Sequence, residues 1–136
     1  MKPTEITMKE RNATYEEVKQ LKKDKILELP WDCLEEDDYL YLFEKNNHVC
    51  AVIRLSLDPY DNDVIWIDEF EIVRNYRNQG IGKLIICEFL EECNNVVKLM
   101  AKNKHVAEFW LKCGFQYDNP SWAEIPMIYS KKNSFL

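Results

Sequence analysis

Arg77-Asn78-Gln79-Gly80-Ile81-Gly82 stands between an apolar run that ends near Val73 and a helical pattern that begins at Ile81. Two of the chain's three glycines fall within it. Glycine accepts positive φ and lets backbone approach a ligand closely, so this concentration marks a loop of special shape. A strand, a tight loop and a helix N-terminus in succession aim free N–H groups and the positive end of the helix dipole at one point. Such a point favours an anion, and a pyrophosphate suits it.

Upstream of the loop, residues 64–73 read as a strand. Residues 39–44 and His48–Leu57 read as a hairpin, because aromatic and β-branched residues flank the turn Lys45-Asn46-Asn47. With the turn at 58–63, these segments make a meander of three antiparallel strands. Residues 4–8 suit a short first strand. Asn12 or Thr14 can cap a helix over 15–29, which Pro30 ends. Residues 31–38 form a loop carrying Glu35-Glu36-Asp37-Asp38, either a solvated stretch or an acidic rim for a cation. His48, at a strand entrance, reads as structural.

Downstream, Ile81, Ile85, Ile86, Phe89, Leu90 and Cys93 recur at helical spacing, giving a helix over 81–93. Val96–Ala101 is a buried strand. Asn103 caps a further helix with the apolar stripe Val106, Phe109, Trp110 and Cys113, and Gly114 stands where a left-handed C-terminal cap is expected. Residues 115–117 and 123–130 finish as strands, and Pro126 suggests an edge or a bulge. Mixed strands and helices in this order predict an α/β (α+β) chain, one mixed, mostly antiparallel sheet with helices on both faces. At 136 residues the chain fits a single domain, 1–136, that buries roughly 68–70% of its unfolded surface.

Two familiar phosphate loops do not fit. A P-loop needs glycine at 77 and Ser or Thr at 84, where the chain has Arg77 and Leu84. A dinucleotide fingerprint needs a third glycine at 85, where Ile85 stands, and the preceding strands are hairpin-linked rather than part of a βαβ unit.

A third pattern does fit. Arg77-x-x-Gly80-x-Gly82 resembles the acyl-CoA loop of the GNAT N-acetyltransferase superfamily, and the surrounding IVRNYRNQGIGKLI (72–85) resembles that family's motif A. Asn103, Phe109, Trp110 and Gly114-Phe115 resemble motif B, in which Asn precedes Gly-Phe by eleven residues. The resemblance covers roughly residues 64–115. It implies a splayed acyl-CoA cleft between the strand at 64–73 and the strand Val96–Ala101. Backbone of Ile72 and Val73 would bond the pantetheine amides. The loop from Arg77, with N–H groups of Gln79, Gly80, Ile81, Gly82 and Lys83, would cradle the pyrophosphate. Asn103 would bond the arm as well as capping its helix, and Trp110 would line the site.

The implied reaction is direct attack of a primary amine on the acetyl-CoA thioester. Glu69 is the first candidate for the base, with Asp68 and Glu71 behind it, since consecutive strand residues face opposite sides. Trp110 stands where many family members carry a tyrosine, and indole cannot supply a proton as phenol does. The acid then falls to Tyr117, Tyr129 or water. The acceptor would be a small-molecule or protein amine, cationic, entering an opening edged by Trp31, Glu35-Glu36-Asp37-Asp38 and Trp122. The alternatives are an acyl-CoA-binding or sensing module with little catalysis, and a protein-interaction domain.

Composition bounds these readings. A net charge of −6, from 24 acidic and 18 basic residues, argues against nucleic acid and fits either a cationic acceptor or plain solubility. No apolar stretch approaches membrane-spanning length and the first residues are not a secretory signal, so no membrane role is expected. Five cysteines without a CxxC pair exclude a complete disulfide framework and offer no metal site, which points to the cytoplasm. Open terminal strands are compatible with a homodimer.

Overall fold

The computed structural model describes residues 9–119 and 124–131. Among these residues the order is β1 (Lys9–Ala13), α1 (Tyr15–Lys23), β2 (Tyr39–Lys45), β3 (His48–Leu57), β4 (Val64–Ile72), α2 (Ile81–Glu92), β5 (Val96–Ala101), α3 (Lys104–Lys112), β6 (Gln116–Tyr117) and β7 (Ile125–Tyr129). The strands pair in the order β1-β2-β3-β4-β5-β7-β6. The β4–β5 pair is parallel, whereas β1–β2, β2–β3, β5–β7 and β6–β7 are antiparallel. This is the mixed, mostly antiparallel sheet expected. The chain groups into two compact units, Met1–Leu55 with Glu69–Gly82 and Ser56–Asp68 with Lys83–Leu136.

In the first unit, Thr14 rather than Asn12 begins α1. Its hydroxyl accepts from Glu17 N–H at 3.1 Å while the Glu17 carboxylate accepts from Thr14 N–H at 3.2 Å, a reciprocal capping box. Arg11 on β1 bonds both Glu17 (2.9 Å) and Glu44 (3.2 Å), and the bond to Glu17 holds that carboxyl below its ordinary value. The strand expected at 4–8 lies outside the described residues.

The helix expected over 15–29 ends at Lys23. Lys25 has φ 62°, Ile26 N–H bonds Leu21 O and Lys25 N–H bonds Lys22 O, which is the Schellman pattern that closes a helix before Pro30 is reached. Lysine in the position usually taken by glycine hid this stop from the sequence. Val18, Leu27, Trp31, Leu40, Leu42, Val52 and Val73 form the core of the unit. Each such side chain contributes roughly 1.5–3 kcal/mol by leaving water. Asn46 and Asn47, both at positive φ, make the two-residue β2–β3 turn whose twist matches the strands.

In the second unit, Asp58 organises the turn into β4. Its carboxylate accepts from Trp66 Nε1 at 2.8 Å and from the N–H groups of Tyr60 and Asp61, which lower its pKa. The helix expected over 81–93 ends at Glu92, and α3 begins after Asn103 as expected. Helix α3 packs on β5 and β7. Gly114 closes it at φ 104°, with Gly114 N–H on Leu111 O and Phe115 N–H on Trp110 O. The Phe115 and Trp110 rings meet edge-on at 5.3 Å, the apolar contact that accompanies a Schellman cap.

Pro126 does not mark a sheet edge, because β7 lies between β5 and β6. Its carbonyl accepts from Asp118 N–H, on the side where the two-residue β6 ladder has already ended. A strand residue's N and C=O share a side, so the missing N–H costs no bond to β5. Burial pushes the thiols of Cys50 and Cys113 up to about 11 and about 12 respectively.

Candidate functional site

The site is built from the turn that carries β4 into α2. After Ile72 the chain makes a 3₁₀ turn, Arg74–Tyr76, then passes through Asn78 at φ 61° and Gly80 at φ 75° before α2 starts at Ile81. A methyl group at Gly80 would meet no protein atom within 4 Å. The glycine is therefore required by its φ, and the space above it is open to a ligand. The first N–H groups of α2, from Ile81, Gly82 and Lys83, lack intrahelical partners by construction and face the end of this turn. Gln79 folds back, its amide donating to Asn75 O at 2.9 Å.

Val73 is not free for a ligand. Its N–H donates to Cys50 O at 2.8 Å and its carbonyl accepts from Tyr76 N–H at 2.8 Å. Since alternate strand residues direct their amides to opposite sides, Ile72 directs its own away from β3. The pairing of β4 with β5 covers Val64–Trp66, while β4 itself continues to Ile72.

Arg77 is clamped rather than extended. Its Nε donates to Ile72 O at 2.8 Å, one terminal nitrogen meets Glu28 at 2.8 Å, and the other meets Glu71 at 3.3 Å. Arg74 pairs with Glu28 as well. Desolvation raises the Glu28 pKa, but the two arginines outweigh it and hold the carboxyl below its ordinary 4.5.

Glu71, weighed from sequence as a reserve base, is a buried anchor, 3% exposed. Its carboxylate accepts from Glu28 N–H (2.6 Å), Leu29 N–H (3.0 Å), the Trp31 indole (2.8 Å) and Arg77. Trp31 is a core residue, 2% exposed. Asp38 is also taken, by Arg54 at 2.9 Å, and Glu36 accepts from Tyr15 OH at 3.4 Å, so the acidic run is partly spent within the fold. Trp122 lies outside the described residues. A carboxylate at an inward position of β4 was the sequence signal for the Glu71 anchor, because a buried charge demands partners.

Glu69 is half-buried and, two residues from Glu71, shares its side of β4; Asp68 is exposed on the other. In the second unit, Asn103 caps α3 by accepting from Val106 N–H at 2.9 Å. Trp110 is buried in an aromatic row with Phe109, Phe115 and Tyr129. Tyr117 is exposed on β6. Among the described residues no cluster of His, Cys, Asp and Glu could hold a metal ion.

A sequence model described as the Acetyltransferase (GNAT) family matches residues 5–115. No curated protein sequence matches the chain at a significant level. An acetyltransferase from Thermus thermophilus is similar in structure, with a TM-score of 0.71 at 14% identity over 90% of this chain and 96% of that one. Naa50 of Arabidopsis thaliana, in complex with the bisubstrate analogue CoA-Ac-MVNAL, gives 0.70 at 16% over 92% and 99%. PaiA N-acetyltransferase of Thermoplasma acidophilum, in complex with coenzyme A, gives 0.69 at 12% over 92% and 99%. At these identities the structural likeness is one of fold.

Proposed function

The chain belongs to the GNAT acetyltransferase family, and from that premise we propose that it transfers an acetyl group from acetyl-CoA to a primary amine by direct attack on the thioester. The observation that carries the reading is the turn after β4, with Asn78 and Gly80 left-handed, open space over Gly80 and a 12-residue helix beginning at Ile81. Bound acetyl-CoA supplies the activated acetyl thioester. The N–H groups of Gly80 to Lys83 and the α2 dipole hold the pyrophosphate, Ile72 N–H pairs with the pantetheine arm, and the Asn103 amide N–H₂ supports it while its oxygen caps α3. Glu69 takes the ammonium proton on its carboxylate, directly or through water, and Tyr117 is the donor available to the leaving thiolate. The acceptor is a cationic amine, drawn by the acidic chain. All five cysteines are free thiols, which suits a reducing compartment such as the cytoplasm.

Acetyl-CoA should raise the melting temperature, since a ligand at 100 times its Kd stabilises the folded state by about 2.7 kcal/mol. An unchanged midpoint at millimolar acetyl-CoA would remove the reading. Transfer itself is read by weighing the products of an amine panel, because free thiols compromise thiol-reagent assays. Product no greater than the uncatalysed background would leave a CoA-binding module.

Gly80→Ala separates the loop's shape from its stability. Holding alanine at φ 75° costs about 1–2 kcal/mol, with no clash to add. The methyl group nonetheless enters the space meant for the phosphates. Calorimetric titration should therefore show at least a tenfold weaker Kd for CoA in a protein that remains folded. An unaltered Kd would place the phosphates elsewhere.

A further inference from the structure

We propose that Glu71 is a positioning residue for the cofactor loop: acting through Arg77, it sets the 72–80 turn in its binding shape and ties it to the segment at 28–31. This rests on the CoA reading above but adds a residue that touches neither substrate nor reacting atoms.

The geometry is a double clamp. One Glu71 oxygen accepts from Leu29 N–H and the Trp31 indole, and the other accepts from Glu28 N–H and Arg77. The Arg77 guanidinium spans the base of the turn, because its Nε holds Ile72 O five residues back. Tyr76 N–H on Val73 O and Arg77 N–H on Arg74 O close the turn from within. Asn78 and Gly80 follow at once, so a fixed Arg77 fixes where their amides point.

The tethered segment is itself strained. Lys25, Trp31 and Cys33 all have left-handed φ, and such conformations persist only where the surroundings impose them. Glu71 holds one end of the strained stretch. Arg54 holds the other, through Asp32 O (2.8 Å), Cys33 O (2.7 Å) and Asp38.

Charge makes the idea discriminating. Glu28 and Glu71 are balanced by Arg74 and Arg77, so the turn is locally neutral beside an anion site. Electrostatics alone says that deleting one of these carboxylates should tighten phosphate binding. Positioning says that binding should weaken.

The test uses Glu71→Gln in the full chain with two readouts, hydrogen exchange of the ligand-free protein and titration with CoA. Amides from Arg77 to Lys83 should exchange at least tenfold faster than in the wild type while those of α3 stay unchanged. Kd and KM for acetyl-CoA should rise tenfold or more, with kcat at saturation within threefold. In an Arg77→Ala background, Glu71→Gln should weaken binding no further than twofold, since it acts through that side chain. Trp31→Phe removes a donor to the other oxygen and should lower the melting temperature with Kd within twofold.

Additive losses, equal or tighter CoA binding by Glu71→Gln, or a Trp31→Phe effect on Kd as large as that of Glu71→Gln would each overturn the proposal. Should Glu71→Gln fail to fold, Glu28→Gln reads the same guanidinium from the exposed side: a threefold or greater rise in Kd supports the clamp and no change sinks it. Wild-type protein that binds no CoA while the Glu71→Gln loop still loosens would defeat the cofactor reading and keep the clamp.

Discussion

Glu69→Gln is expected to lower kcat by about 10²–10⁴-fold, the range that a positioned general base contributes, while CoA affinity stays within threefold. The side chain has the right setting for the role. It is half-buried on the side of β4 that carries Glu71. Glutamine keeps the shape and removes the basic oxygen. Asp68→Asn, on the opposite side of the strand, should change kcat less than threefold. Steady-state rates with mass-resolved product, measured from pH 6 to pH 9, decide the matter. Equal losses in the two variants, or none in Glu69→Gln, would remove Glu69 from the chemistry.

Trp110→Ala is expected to destabilise the fold by about 3–5 kcal/mol, the usual cost of emptying a large aromatic site. The indole is buried and meets Phe109 at 5.0 Å and Phe115 at 5.3 Å. The second contact is also the apolar half of the cap that ends α3, so the helix terminus loosens along with the core. Urea unfolding with a constant slope gives the difference directly. Trp110→Phe keeps a ring in place and should lose less than half as much. A loss below about 1 kcal/mol in Trp110→Ala would mean that the indole is peripheral to the core.

Much of this molecule could be read from local signals. His48–Leu57 and Val96–Ala101 have their expected bounds because β-branched runs between turn residues leave little alternative. The turn at Asn46-Asn47, the cap at Asn103 and the stop at Gly114 are each set by one or two residues with a marked backbone preference. The family followed from two short motifs at a fixed separation.

The end of α1 and the loop after it were less legible, since Lys25 and Trp31 adopt left-handed φ that their side chains do not favour. Contacts from Glu71 and Arg54 hold that segment, and both lie far along the chain.

By itself, then, the sequence determined the order of elements, the glycine-bearing turn before α2 and the family, because each depends on neighbours within a few residues. Only the tertiary structure decided what the charged groups do. Three carboxylates of β4 look alike as Asp68, Glu69 and Glu71, yet one is exposed, one half-buried and one buried against four donors. Arg77, at the start of the loop expected to cradle the pyrophosphate, has its side chain on Ile72 O, Glu28 and Glu71 as the clamp of its own turn. The physical reason is that burial and pairing, not residue type, set the state of a charge, and its partners here come from as far as 43 positions away, as Glu28 does for Glu71.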